Sequence, residues 1–277
     1  MQATTHPPRP PAAYPEGLYR AAEIARPLAG LGAVDDAAVE AFHAAGYLAV
    51  EGAFSAERVA AGQAAIEELI AGRQPGFQRI ELEPPGGSPG EAGPDRVRKL
   101  SDFTGFDRRL RGFLHDPAMR AAIERLGVPD PVCFQEMALL KPPGGGREKP
   151  WHQDLAYFDY AHTTPVVGVW IALDGAVVAN GCMHVIAGTH REPVPHHAIR
   201  DWQVCDTHVL GRPVVAAPLR PGGLLFFSGL LVHGTPENRS ELRRRALQFH
   251  FAPSAAGKEH PDVRCGVFGE MGRAAEC

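Results

Sequence analysis

The segment Pro150-Trp151-His152-Gln153-Asp154 places a histidine and a carboxylate two residues apart. On an extended strand, residues two apart point to the same face, so His152 and Asp154 project together. A neutral imidazole beside a carboxylate supplies two donors of a facial triad, the set that holds ferrous iron and leaves three positions open for substrates. The same spacing also describes a salt-bridged surface pair. A third donor must come from a distant segment. His233 is the candidate, because it ends the apolar run LLFFSGLLV and precedes Gly234-Thr235. A histidine there either lines a barrel mouth or sits as a satisfied core residue.

Arg244 shifts that balance. It lies eleven residues after His233 and opens the stretch RRALQFHF, where alternation puts Arg244, Ala246, Gln248 and His250 on one face. An arginine aimed into a barrel is costly unless it meets an anion, and its planar fork suits a carboxylate. A three-donor iron site with a carboxylate anchor describes an iron enzyme that uses a keto-acid cosubstrate. Arg243 and Arg245 alternate to the other face and read as solvated or salt-bridged.

The chain resembles the iron(II)/2-oxoglutarate dioxygenases of the phytanoyl-CoA hydroxylase family. The likeness runs from about Ala45 to about Phe251 and includes RKLSDF (98–103), EMALLKPPGGG (136–146), HQDLAYF (152–158), VWIALDGA (169–176), NGCMHVIAGTH (180–190) and HGTPENRSELRRRA (233–246). The resemblance implies a double-stranded β-helix, with His152, Asp154 and His233 as iron ligands. It also implies that Arg244 pairs with the far carboxylate of 2-oxoglutarate. Lys99, Met137, Trp170 and Thr235 match positions lining the cosubstrate pocket, Thr235 replacing a serine. Related halogenases carry a small residue where Asp154 stands, so the carboxylate implies hydroxylation, with succinate and carbon dioxide released. Desaturation, cyclisation or epimerisation on the same fold is the alternative outcome. A non-catalytic cupin-like metal binder is the other alternative, and Arg244 argues against it. Tyr157, Phe158 and Trp151 flank the ligands and are candidates for a substrate wall.

The elements that must position these residues are legible in outline. Asp35-Asp36 can cap a helix ending at Gly46, Tyr47–Val50 reads as a short strand, and Ser55 can begin a helix through Ile70. A third helical region covers roughly 106–126. Residues 73–95 read as a polar loop around PPGGSPGEAGP, and the Gly/Pro-rich stretches 83–94 and 142–150 are candidate lids. From residue 133 onward, short apolar runs bounded by Gly, Pro or Asn signal an antiparallel sandwich or barrel. The expected class is α+β, mainly β: a jelly-roll core buttressed by N-terminal helices in one domain (35–277), after a proline-rich arm (1–34) ordered only if it packs on the body.

Composition narrows the partners. Lys+Arg 28 against Asp+Glu 32 gives a formal charge of −4, which lacks the basic footprint of a nucleic-acid binder. No apolar run approaches the ~20 residues of a membrane span, and the N-terminus lacks a signal-peptide core. Five cysteines without CxxC spacing read as reduced thiols, so the expected setting is cytoplasmic, the partner a small molecule, and the assembly a monomer or small homo-oligomer. Of 13 histidines, the reading gives two to iron. It treats the rest as structural or solvated: His184 on a barrel wall, His190 closing a GTH turn, and His196-His197 in a polar loop.

Overall fold

A computed structural model describes residues 14–83 and 94–269. Helix ends follow from local chemistry. The Asp35 carboxylate accepts from the Ala38 N–H at 2.9 Å and caps α1 (Asp36–Ala45), which stops at Gly46 with φ 85°. Ser55 accepts from the Arg58 N–H and starts α2 (Ala56–Ile70). The third helical region is two helices, α3 (Arg108–Leu114) and α4 (Pro117–Arg125), capped by Asp107 and Asp116. Pro117 explains the break: it has no N–H to continue a helix but fits a first helical turn. A short α5 (Asp206–Val209) and α6 (Pro261–Phe268) complete the helices. None of them is long and apolar enough to cross a membrane.

The first strands are β1 (Ala21–Ile24), β2 (Leu28–Ala29), β3 (Tyr47–Glu51), β4 (Ile80–Leu82), β5 (Val97–Ser101), β6 (Pro131–Lys141) and β7 (Lys149–His152). They are followed by β8 (Val167–Ala172), β9 (Met183–Val185), β10 (His196–Ala198), β11 (Trp202–Val204), β12 (Val214–Ala217), β13 (Leu224–Ser228), β14 (His233–Thr235) and β15 (Arg244–Pro253). The major sheet runs β2-β3-β13-β8-β15-β6-β5-β4 and the minor sheet β1-β12-β9-β14-β7, with β10-β11 a separate hairpin.

Period-two alternation gives the major sheet two apolar faces. Val169, Ile171, Phe226, Leu247 and Phe249 face outward and share a core with Phe42, Ile66, Leu69 and Phe113 of the helices. Trp170, Ala172, Leu225, Phe227 and Ala246 face inward and meet Met183, Val185, Val215 and Ala217 of the minor sheet. Two sheets packed over one core, with helices on the outer face, make the double-stranded β-helix. At roughly 1.5–3 kcal/mol for each large side chain fully buried, these two cores are what hold the sheets in register.

Residues 14–34 of the expected arm pack on the body, β1 pairing in parallel with β12 and β2 with β3, while 1–13 lie outside the described residues. One expectation needs correction. The loop 73–95 contains β4, which pairs with β5, while its centre at 84–93 lies outside the described residues. Cys133, Cys182, Cys205 and Cys265 are free thiols.

Gly168 of β8 shows how tightly the inner core presses on what it encloses. A Cβ there would lie 2.3 Å from the Phe227 ring, whose centroid is 4.8 Å from that of His233. Gly168→Ala is expected to cost about 1–3 kcal/mol by overpacking. Urea unfolding checks this, and an unchanged midpoint would show that the Phe227 ring has room to move.

Candidate active site

β7 delivers His152 at its last residue. Gln153 remains extended (φ −114°, ψ 131°), and Asp154 opens a single 3-10 turn, so the two side chains keep the common face of a strand. β14 runs antiparallel to β7 with His233 directly opposite His152, which brings the ring centroids to 4.3 Å. Donor atoms of His152, Asp154 and His233 all fall within 4.8 Å of one another, and all three residues are buried. His152 Nδ1 lies 2.7 Å from the Pro150 carbonyl and His233 Nδ1 2.9 Å from that of Leu231. A carbonyl only accepts, so each Nδ1 carries a proton and each Nε2 turns to Asp154 Oδ1, at 3.3 and 3.7 Å. Burial, then the neighbouring His152, pushes His233 down to about 3, so its Nε2 offers a lone pair. Two nitrogens and an oxygen converging in this way can hold a divalent metal ion.

His250, which the sequence alone leaves among the structural histidines, joins this cluster. Its Nε2 donates to Asp154 Oδ2 at 2.6 Å, and both side chains are fully buried. The second carboxylate oxygen is therefore occupied while Oδ1 faces the other two histidines. Burial alone would raise the Asp154 carboxyl; the surrounding histidines, His250 foremost, hold it well below the usual carboxylate range. Alternation had already put His250 on the face of Arg244. Its carboxylate partner is 96 residues away and leaves no local signal. His196 is also buried, contrary to its expected place in a polar loop, and its Nε2 accepts from the Gln153 N–H at 3.0 Å. His184 is buried against Tyr19 on the back of the minor sheet.

A cavity of about 180 Å³ opens beside the cluster, lined by His152, His233 and also by Arg244, Lys99, Met137, Trp170 and Thr235. Arg244 is 2% exposed; its Nε has no partner, and Nη1 reaches only the Leu139 carbonyl at 3.4 Å. Burial pushes the guanidinium down to about 10, which leaves it charged at neutral pH. Its carbon stands 5.4 Å from the Trp170 ring centroid, and Trp170 Nε1 is likewise buried without a partner. Lys141, opposite Arg244 in the β6-β15 ladder, instead donates to the carbonyls of Arg147, Thr235 and Pro236. Lys99 pairs with Glu81 at 3.0 Å.

Among the described residues, none of the three aromatics expected as a substrate wall lines this cavity. Trp151 alternates to the face opposite His152 and stacks on Tyr19 at 5.0 Å, fully buried. The 3-10 turn carries Tyr157 and Phe158 into a separate core with Val166 and Leu230. From there Tyr157 meets the His152 ring edge-on at 5.6 Å and Phe158 meets His250 at 4.9 Å. They brace the histidines from behind and do not line the cavity.

The family model for phytanoyl-CoA dioxygenase matches residues 42–246, a span that holds the whole convergent cluster. The chain belongs to the phytanoyl-CoA dioxygenase family. The phytanoyl-CoA dioxygenase domain-containing protein 1 of Rattus norvegicus is 32% identical over 158 residues, 54% of this chain and 54% of that protein. The match thus spans about half the length of the curated phytanoyl-CoA dioxygenase relatives. Among solved structures, the non-heme alpha-ketoglutarate-dependent carbocyclase SnoK of nogalamycin biosynthesis superposes with a TM-score of 0.68 at 23% identity, covering 83% of this chain and 88% of that one. EctD from S. alaskensis, crystallised with 2-oxoglutarate and 5-hydroxyectoine, gives 0.68 at 22%, covering 82% and 79%. At these identities the likeness is one of fold, and it places the phytanoyl-CoA dioxygenase family chain on the jelly-roll scaffold.

Two outcomes follow. His250→Phe removes a buried donor from Asp154 Oδ2 and is expected to weaken divalent-metal binding about 10–100-fold, measured calorimetrically with Co(II). Wild-type affinity would show that Asp154 needs no such support. Burial also pushes His184 down to about 4 and His196 to about 3, as with His233, against an ordinary value of 6.5. The unfolded chain therefore binds more protons in this window. Stability of the metal-free protein is complete above pH 6.5 and falls towards pH 3–4, by up to about 1.4 kcal/mol per pH unit for each histidine. Urea midpoints at pH 7.5 and 5.5 check this, and a flat profile would contradict it.

Proposed function

We propose that this chain is an iron(II)- and 2-oxoglutarate-dependent oxygenase that hydroxylates an unactivated C–H bond of a small molecule. The observation that carries the reading is the buried Arg244. Among the described residues it has no carboxylate partner, and it opens into the cavity that holds His152 and His233. A buried cation without an anion is unfavourable, so a site built this way fits a ligand that brings one. A protein that only stored metal would have no use for it.

The residues suit both groups. Two imidazole nitrogens and one carboxylate oxygen match ferrous iron's preference and leave part of its coordination sphere to other ligands. The unpartnered Arg244 Nε and Trp170 Nε1, with the Thr235 hydroxyl on the same lining, suit a dicarboxylate. In this assignment His152, Asp154 and His233 hold the iron and Arg244 pairs with the distal carboxylate of 2-oxoglutarate. Lys99, Met137, Trp170 and Thr235 line the cosubstrate's pocket. Iron with 2-oxoglutarate and dioxygen supplies the oxidising chemistry when bound, with succinate and carbon dioxide as by-products.

What the chain contributes is placement. The Nδ1 bonds to Pro150 and Leu231 fix both rings, so their Nε2 atoms need no reorganisation. His250 fixes Asp154. Arg244 is held between the Leu139 carbonyl and Trp170, which aims its fork before the cosubstrate arrives. The apolar inner core behind them excludes water. The carboxylate at 154 supports hydroxylation. The carbocyclase SnoK has the same fold, so ring closure, desaturation or epimerisation is the second reading, decided by where the substrate carbon sits.

Arg244→Ala is expected to weaken 2-oxoglutarate binding by about 2–5 kcal/mol, or ~30-fold and more, while Co(II) affinity changes only a few-fold. Anaerobic calorimetry separates the two, and equal loss of both would overturn the role given to Arg244. Succinate formation on adding iron and 2-oxoglutarate tests the reaction class. A product that gains one oxygen atom separates hydroxylation from the second reading.

A further inference from the structure

The size and lining of the cavity constrain the second substrate. Its volume of about 180 Å³ is below the roughly 300–1,000 Å³ of sites that enclose drug-sized ligands, and the cosubstrate must share it. Its solvent-facing part carries ionic side chains. Among the described lining residues, Leu139 is the one partly exposed apolar side chain. The aromatic residues that could have made an apolar wall, Trp151, Tyr157 and Phe158, are all turned into cores behind the ligands.

The ion pairs at the opening divide into two kinds. Some brace the scaffold. Glu81 ties Arg98 and Lys99 across β4 and β5, at 2.6 and 3.0 Å. Glu148 is clamped by Arg200 at 2.8 Å and by the Tyr19 hydroxyl at 2.7 Å, in a pair only 7% and 9% exposed. Lys149 and Asp201 differ. They meet at 2.8 Å with side chains 24% and 33% exposed, and both line the cavity with His152, which is three residues from Lys149 along β7. Lys149 Nζ also contacts the Tyr157 hydroxyl at 3.1 Å, and the Tyr157 ring abuts His152, so the pair is anchored beside the candidate metal ligand.

Resting on the function proposed above, we infer that the substrate is a small zwitterion, its carboxylate held by Lys149 and its cationic nitrogen by Asp201, and not a long-chain acyl thioester. A ligand carrying both charges replaces one internal ion pair with two intermolecular ones, and the buried charge stays balanced. An alkyl chain in the same space would desolvate those pairs and return nothing. Nor do the partly exposed cations of the described lining form an unpaired cluster for the phosphates of a coenzyme A group, because Arg98, Lys99, Arg147 and Lys149 each already meet a carboxylate.

The test uses the full chain loaded anaerobically with Co(II) and 2-oxoglutarate, titrated by calorimetry with L-proline, L-leucine and glycine betaine. Singly charged controls are cyclopentanecarboxylate and isoamylamine, and palmitoyl-CoA represents the acyl thioesters. At least one zwitterion is expected to bind at least tenfold more tightly than either singly charged control and to raise succinate formation at least tenfold in the iron-loaded protein. Lys149→Met and Asp201→Asn, each checked by thermal melting, should lower that affinity at least tenfold. Binding of palmitoyl-CoA ahead of every zwitterion, no zwitterion exceeding its singly charged control, or zwitterion affinity indifferent to both substitutions would each overturn the inference. The 2-oxoglutarate affinity measured without any second substrate keeps this failure apart from failure of the proposed function.

Discussion

An ion sealed in a protein interior must be compensated there, and the centre of this barrel is arranged around that requirement. Asp154 is buried as a carboxylate, so histidines are gathered on both its oxygens: His250 on Oδ2, and His152 and His233 on Oδ1. Two buried cations face each other across the β6-β15 ladder and are treated differently. Lys141 donates to three carbonyl oxygens, those of Arg147, Thr235 and Pro236, whereas among the described residues Arg244 has one long carbonyl contact and an unpaired Nε. That asymmetry marks Lys141 as a structural cation and is the ground on which the proposed function assigns Arg244 to a ligand.

The packing exists to hold these groups still. Phe227 presses on His233 from the major sheet, while Tyr157 and Phe158 press on His152 and His250 from the opposite side. Tyr157 and Phe158 therefore act as supports for the histidines, and the opening is left to ionic side chains.

Much of this could be read from the chain because its signals are local. Asp35, Gly46 and Ser55 mark helix ends by their own capping chemistry, and the HxD spacing survives because Gln153 stays extended. Arg244 could be placed by alternation along β15. What could not be read depends on pairing at a distance. The His250–Asp154 bond joins residues whose separation erases any pattern, and the burial of His196 depends on the Gln153 amide finding it. Trp151 was placed in the cavity by sequence proximity, although strand alternation sends it to the opposite face from His152. The helix break at Asp116-Pro117 was legible, since an Asp-Pro step both caps and starts a helix, but an amphipathic stretch on either side obscured it.

The cross-strand pairing of His233 with His152 has a kinetic side. The HxD segment alone offers two donors, and the third comes from β14, which pairs with β7 across the intervening β8–β13. Such non-local pairings are the slow steps of β-sheet proteins. A metal ion therefore cannot template this fold early, as it does in a zinc finger whose ligands lie close together. Under the proposed function an ion would enter a finished barrel, and its tight retention would mark molecules that have completed their topology.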